Sequence, residues 1–120
     1  MKIIKYYVSI TNTDVEFSLI RRSVVKETDL AYYYLDDEKR NRQVRIKKNN
    51  INLFKNKTYT PDHIFIQVWV PQIKNSMKPR QVKKQLLDFA AEYIGYQIYQ
   101  RNREIEKLHE LNSLILREIK

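Results

Sequence analysis

Along this chain, hydrophobic and polar positions alternate with a period of two for about seventy residues and then change to a period near three and a half. Ile4, Tyr6, Val8 and Ile10 alternate with Ile3, Lys5, Tyr7 and Ser9, which predicts a half-buried strand over residues 3–10. Thr11-Asn12-Thr13-Asp14 is a turn signal, and Val15, Phe17 and Leu19 resume the alternation on a second strand. Arg21-Arg22 and Val24-Val25 break its phase, as a bulge or register change does. Residues 30–35, with three consecutive tyrosines, read as a strand, with a short helix capped by Thr28 or Asp29 as the alternative.

Residues 36–41 form a charged turn. Val44 and Ile46, then Ile51 and Leu53, repeat at two around Asn49-Asn50, and asparagine tolerates the left-handed backbone of a tight turn. A β-hairpin over residues 42–54 is therefore predicted. Residues 58–62 are loop, where Pro61 stops any ladder. Ile64, Ile66, Val68 and Val70 fill one face of residues 63–70 while Phe65 and Trp69 occupy the other, the pattern of a central strand buried on both sides.

Beyond Pro71 the pattern is helical. Pro79 suits a first helical turn, with Asn75 or Ser76 before it. Leu87, Ile94, Arg101, Leu108 and Ile115 fall seven apart, with Ala91, Ile98, Ile105, Asn112 and Ile119 four residues later in each repeat. That is a heptad seam, flawed at Arg101 and Asn112. A continuous helix from Pro79 to Lys120 would run about 60 Å. It either breaks, near Gly95 or Asn112-Ser113, or leaves the body to pair, which marks Leu87, Ile94, Ile98, Ile105, Leu108 and Ile115 as a homodimer interface. The expected fold class is α+β: an antiparallel sheet of about five strands followed by a long C-terminal helix packed on one face. At 120 residues a single domain is expected, mainly β over 1–70 and helical over 76–120.

Charge adds the functional signal. The formal charge is +9, and residues 39–57 carry eight basic side chains and no acidic one. Lys39, Arg40, Arg42, Arg45, Lys47, Lys48, Lys55 and Lys57 thus concentrate positive potential on the predicted hairpin. With Val44, Ile46, Ile51 and Leu53 inward, Asn41, Gln43, Arg45 and Lys47 would lie beside Asn52, Phe54 and Asn56 on an outer face. Such a face offers cations for phosphates, Gln43 and Asn52 for base edges, and Phe54 for stacking. The bland counterpart is an edge hairpin whose lysines prevent aggregation. Lys78, Arg80, Lys83 and Lys84 crowd the expected helix start, where cations oppose the helix dipole unless a phosphate binds.

Other chemistry is thinly supplied. Cysteine is absent, which removes disulfides and thiolate sites and fits a reducing compartment, with cytoplasm as the default. His63 and His109 lie in no zinc spacing, and a single glycine permits no Gly-rich phosphate loop. Tyr34-Leu35-Asp36-Asp37 resembles the Tyr-x-Asp-Asp hairpin of some polymerases, but no palm or nucleotide pocket surrounds it, and it reads as a charged turn. The tyrosines at 32–34 and at 93, 96 and 99 read as core or interface rings with the hydroxyl at the rim. No catalytic residue, metal, cofactor, small-molecule substrate or membrane partner is expected. Abundant Ile, Lys, Asn and Tyr is a bias of AT-rich coding sequence, as in low-GC bacteria, their phages and plasmids.

The expected function is non-enzymatic nucleic-acid binding, of DNA ahead of RNA, as an accessory or regulatory protein. Two alternatives stand beside it. One is a protein-interaction module, such as a mobile-element-encoded inhibitor of a nuclease or nucleoprotein complex; the other is a structural or assembly subunit built on the helical seam.

Overall fold

The computed structural model describes residues 1–40, 42–57, 62–73 and 77–120, with Lys39 described by its backbone alone. The expectations for Asn41, Pro61, Asn75 and Ser76 lie outside the described residues. The chain forms two units, residues 1–89 and 90–120.

The first unit carries β1 (Lys2–Thr11), β2 (Val15–Glu27), β3 (Ala31–Asp36), β4 (Arg42–Lys47), β5 (Lys55–Asn56) and β6 (His63–Gln72). They form one antiparallel sheet in the order β4-β3-β2-β1-β6-β5. The β1–β2 turn closes through Thr11: its N–H donates to the Asp14 carbonyl at 2.9 Å, and its hydroxyl accepts from the Asp14 N–H at 3.2 Å. β2 is long enough to serve two neighbours. Its first nine residues pair with β1, Val24, Lys26 and Glu27 pair with β3, and the register slips between Val24 and Lys26. The phase break read in the sequence at this point is therefore a bulge. Residues 31–36 form a strand, not a helix, because Thr28 turns the chain: its hydroxyl accepts from the Leu30 and Ala31 N–H groups and leaves residues 31–36 free to ladder on β2.

The two faces of the central strands bury different cores. Register places Ile4, Tyr6 and Val8 beside Val70, Val68 and Ile66 on one face. There Val82 and Leu86, on the first turns of α1 (Pro79–Ile119), are 2% and 0% exposed. Phe89 stacks on Phe54 with ring centres 5.6 Å apart, and Lys83 lies over the Phe17 ring. The opposite face holds Ile3, Tyr34 and Trp69, against which Val24, Tyr32, Val44, Ile46 and Ile51 pack.

That second cluster requires the sheet to roll. β4 and β6 are four strand spacings apart, about 19 Å in a flat sheet. Yet Val44 and Ile46 on β4 share one apolar cluster with Trp69 on β6. Only a curled sheet brings them together, and the second apolar face, left open in a flat sheet, supplies the driving force.

The helix α1 is unbroken over 41 residues. Neither Gly95 nor the 112–113 pair interrupts it, since an interior glycine costs only about 1 kcal/mol relative to alanine. Pro79 occupies the first helical position, as expected, and the Lys78 N–H donates to the Gln81 Oε1 at 3.1 Å, half of a capping box. In the second unit, Ile98, Ile105, Leu108 and Ile115 are each at least half exposed. Among the described residues no helix is long and apolar enough to cross a membrane.

Candidate nucleic-acid interface

The basic segment does not fold back on itself as the predicted hairpin. β4 pairs with β3 and β5 pairs with β6, at opposite edges of the sheet. Residues 48–50 make a 3-10 turn where Asn49-Asn50 was expected to reverse the chain. Ile51 then forms a parallel bridge with Trp69, and the Asn52 N–H donates to the Trp69 carbonyl at 2.8 Å. Asn52 takes the left-handed conformation, φ 62°, which asparagine adopts more readily than most residues. The departure has an apolar side: Ile51 packs on the Ile3–Tyr34–Trp69 cluster, which Val44 and Ile46 of β4 reach from the other edge of the sheet. Two inward or outward assignments fall with the hairpin. Leu53, expected inside, is 49% exposed; Phe54, expected as a free stacking ring, is half-buried against Phe89.

Curling nevertheless reunites the charges. Because the sheet ends approach one another, Arg45 and Lys47 of β4 and Lys55 and Lys57 of the β5 segment line one cavity of about 260 Å³. Its remaining wall comes from Ile46, Asn50 and Leu53 with Gln67, Val68 and Trp69 of β6, and contains no carboxylate. Arg45 and Lys47 also border a neighbouring open groove with Asp29, Leu30, Lys48 and Asn49, so they form the ridge between two depressions.

The charges here are largely uncompensated. Among the described residues, ion pairs join Lys48 to Glu27 at 3.1 Å and Arg101 to Glu104 at 3.3 Å, and neither involves the four cavity cations. Lys5 shares the Trp69 face of the sheet, with its Nζ 5.9 Å from the Trp69 ring centre. Burial lowers its pKa below the ordinary lysine value, and the nearby charges of Lys57 and Arg22 push the same way against Asp36 and Glu38. Burial is the main cause of this shift, and Lys57 and Arg22 add to it.

No family model matches this chain, no curated protein matches its sequence, and no solved structure matches its fold.

The other candidate residues divide between places. Arg42 and Gln43 are exposed on the edge strand β4, and Arg40, exposed, closes a 3-10 turn in the left-handed conformation at φ 57°. Lys48 is committed to Glu27 and to the Tyr32 ring. Lys78, Arg80, Lys83 and Lys84 are exposed at the start of α1, which packs on the face opposite Trp69 and Gln67. The fold does not bring these four to the cavity. Asn50, Gln67 and Trp69 were not singled out from the sequence as site residues. Gln67 did leave a trace there, as the one polar residue inside the apolar run from Ile64 to Val70.

Proposed function

We propose that this chain is a non-enzymatic nucleic-acid-binding protein, a cytoplasmic accessory or regulatory factor of a phage or plasmid. The observation that carries this is the cavity walled by Arg45, Lys47, Lys55 and Lys57 without an acidic residue. Four like charges around one depression repel each other, and a phosphate backbone relieves that repulsion while releasing counterions. With β4 and β5 at opposite edges of the sheet there is no hairpin to reach the ligand, so the proposed contact is through the curled sheet. Fluorescence anisotropy with labelled DNA and RNA oligomers tests the proposal. Arg45→Ala and Lys55→Ala, from opposite sheet edges, should each weaken binding several-fold, whereas Arg80→Ala with Lys84→Ala should not. Tight capture of one protein after nuclease treatment, with no affinity for free nucleic acid, would replace this function by that of a protein-interaction module.

We also propose that residues 90–120 form a parallel coiled-coil homodimer. Ile98, Ile105 and Ile119 share one seam position with Asn112, and Ile94, Leu108 and Ile115 share the other with Arg101; Ile98, Ile105, Leu108, Ile115 and Ile119 are each at least half exposed. A lone asparagine at such a position fixes register and two-strandedness between like chains, which makes a second copy the fitting partner.

A further inference from the structure

We infer that the basic cavity is a pocket for one unpaired nucleobase, so that the chain's target is single-stranded nucleic acid in preference to duplex. The inference rests on the nucleic-acid function proposed above and makes its target specific.

Gln67 carries it. Ile66 and Val68 point to the α1 face, so alternation turns Gln67 to the other face, directly opposite Lys55 in the β5–β6 pairing. Gln67 is 6% exposed and lines the cavity; among the described residues no buried side-chain nitrogen or oxygen is left without a partner, so its amide opens onto the cavity and is not orphaned in the core. An amide open to a cavity is met by water in the free protein, and a ligand that displaces that water must replace both its donated and its accepted hydrogen bonds. A phosphate would satisfy only the amide's donors; a base edge, with donor and acceptor side by side, satisfies both functions at once.

Size and charge agree with a base. A cavity of about 260 Å³ lies just below the usual range for small-molecule sites, enough for one base and far too small for a duplex. The cations stand where the strand would continue. Lys55 flanks Gln67, while Arg45 and Lys47 form the ridge towards an adjoining groove that also holds Asp29, and these ridge cations would meet the next phosphate. In a duplex the Watson–Crick edge is engaged by the partner strand and the paired base cannot leave the stack to fit so small a cavity, so only an unpaired or extruded nucleotide can enter.

Trp69 lines the cavity and is the only tryptophan, which provides a readout in the unaltered protein. Titration with the four DNA homo-oligomers and a duplex of equal length, followed by tryptophan fluorescence and by anisotropy, tests the inference. Single strands should change Trp69 emission saturably and bind at least tenfold tighter than duplex, with unequal affinities among the four bases. In Gln67→Leu, of similar volume, affinity for the preferred base should fall by about fivefold to a hundredfold, the range of one amide–base contact, and the spread among bases should collapse. Equal binding of single strand and duplex without a Trp69 response, or a base preference retained in Gln67→Leu, overturns the inference and leaves the charge-based function standing. Absence of binding to every one of these oligomers and to their RNA counterparts overturns both.

Discussion

Replacing Arg45 and Lys55 together by alanine removes one cation from each edge of the sheet and leaves Lys47 and Lys57 in place. With four cavity cations each meeting one phosphate, the logarithm of the binding constant for single strands should fall against log salt with a slope of about −2.8. Between 50 and 200 mM salt that is a loss of roughly 50-fold in affinity. The double variant should halve the slope to about −1.4, so that the same salt change weakens it only about sevenfold. Lys48 serves as the internal control. Its ammonium is already 3.1 Å from the Glu27 carboxylate, so Lys48→Ala should change the slope by much less than either cavity substitution. Anisotropy titrations at five salt concentrations supply all three slopes. A double variant with the wild-type slope, or a wild-type slope near zero, would refute the assignment of phosphate contacts to these residues.

Three further outcomes follow from the packing and electrostatics. Leu86→Ala, at a position 0% exposed beneath the sheet, should cost about 2–5 kcal/mol and lower the urea midpoint, and a loss below 1 kcal/mol would mean that α1 does not cover that face. Lys5 has a folded pKa below the ordinary 10.5, so the unfolded chain binds more protons in the window between the two values and wild-type stability gains there as pH rises. Lys5→Met should be the more stable form at pH 7, with the difference shrinking as pH approaches 10.5; a difference constant with pH contradicts this. Ile105→Asp with Leu108→Asp should convert the proposed dimer to monomer by light scattering without changing affinity for a short oligomer, and an unchanged mass would remove the seam as the interface.

The sequence made the elements more legible than their partners. Period-two alternation located β1, β2 and β6, and the doubled residues near 21–25 marked the bulge in β2. The period change at Pro71 and Pro79 located α1. What alternation could not convey was which edge each basic strand joins. Val44, Ile46, Ile51 and Leu53 carry the same period-two signature whether β4 turns back on itself or the chain crosses to β6. The choice was made at long range, by Trp69 and Tyr34 recruiting Ile51 into a core that exists only once the sheet has curled. For the same reason the charge run pointed to Arg45, Lys47, Lys55 and Lys57, but not to Gln67, which joins them only through the β5–β6 pairing. The continuity of the helix also depends on context: a heptad pattern marks a candidate seam, not whether a lone glycine will break it.

The most direct test of the curled interface is a two-dimensional NMR titration of the full chain with a short single-stranded oligomer. Curling predicts that resonances of Arg45 and Lys47 on one edge and of Lys55, Lys57 and Gln67 at the other shift together, with one common saturation curve. Shifts confined to β4, or gathered at Lys78, Arg80, Lys83 and Lys84, would contradict it.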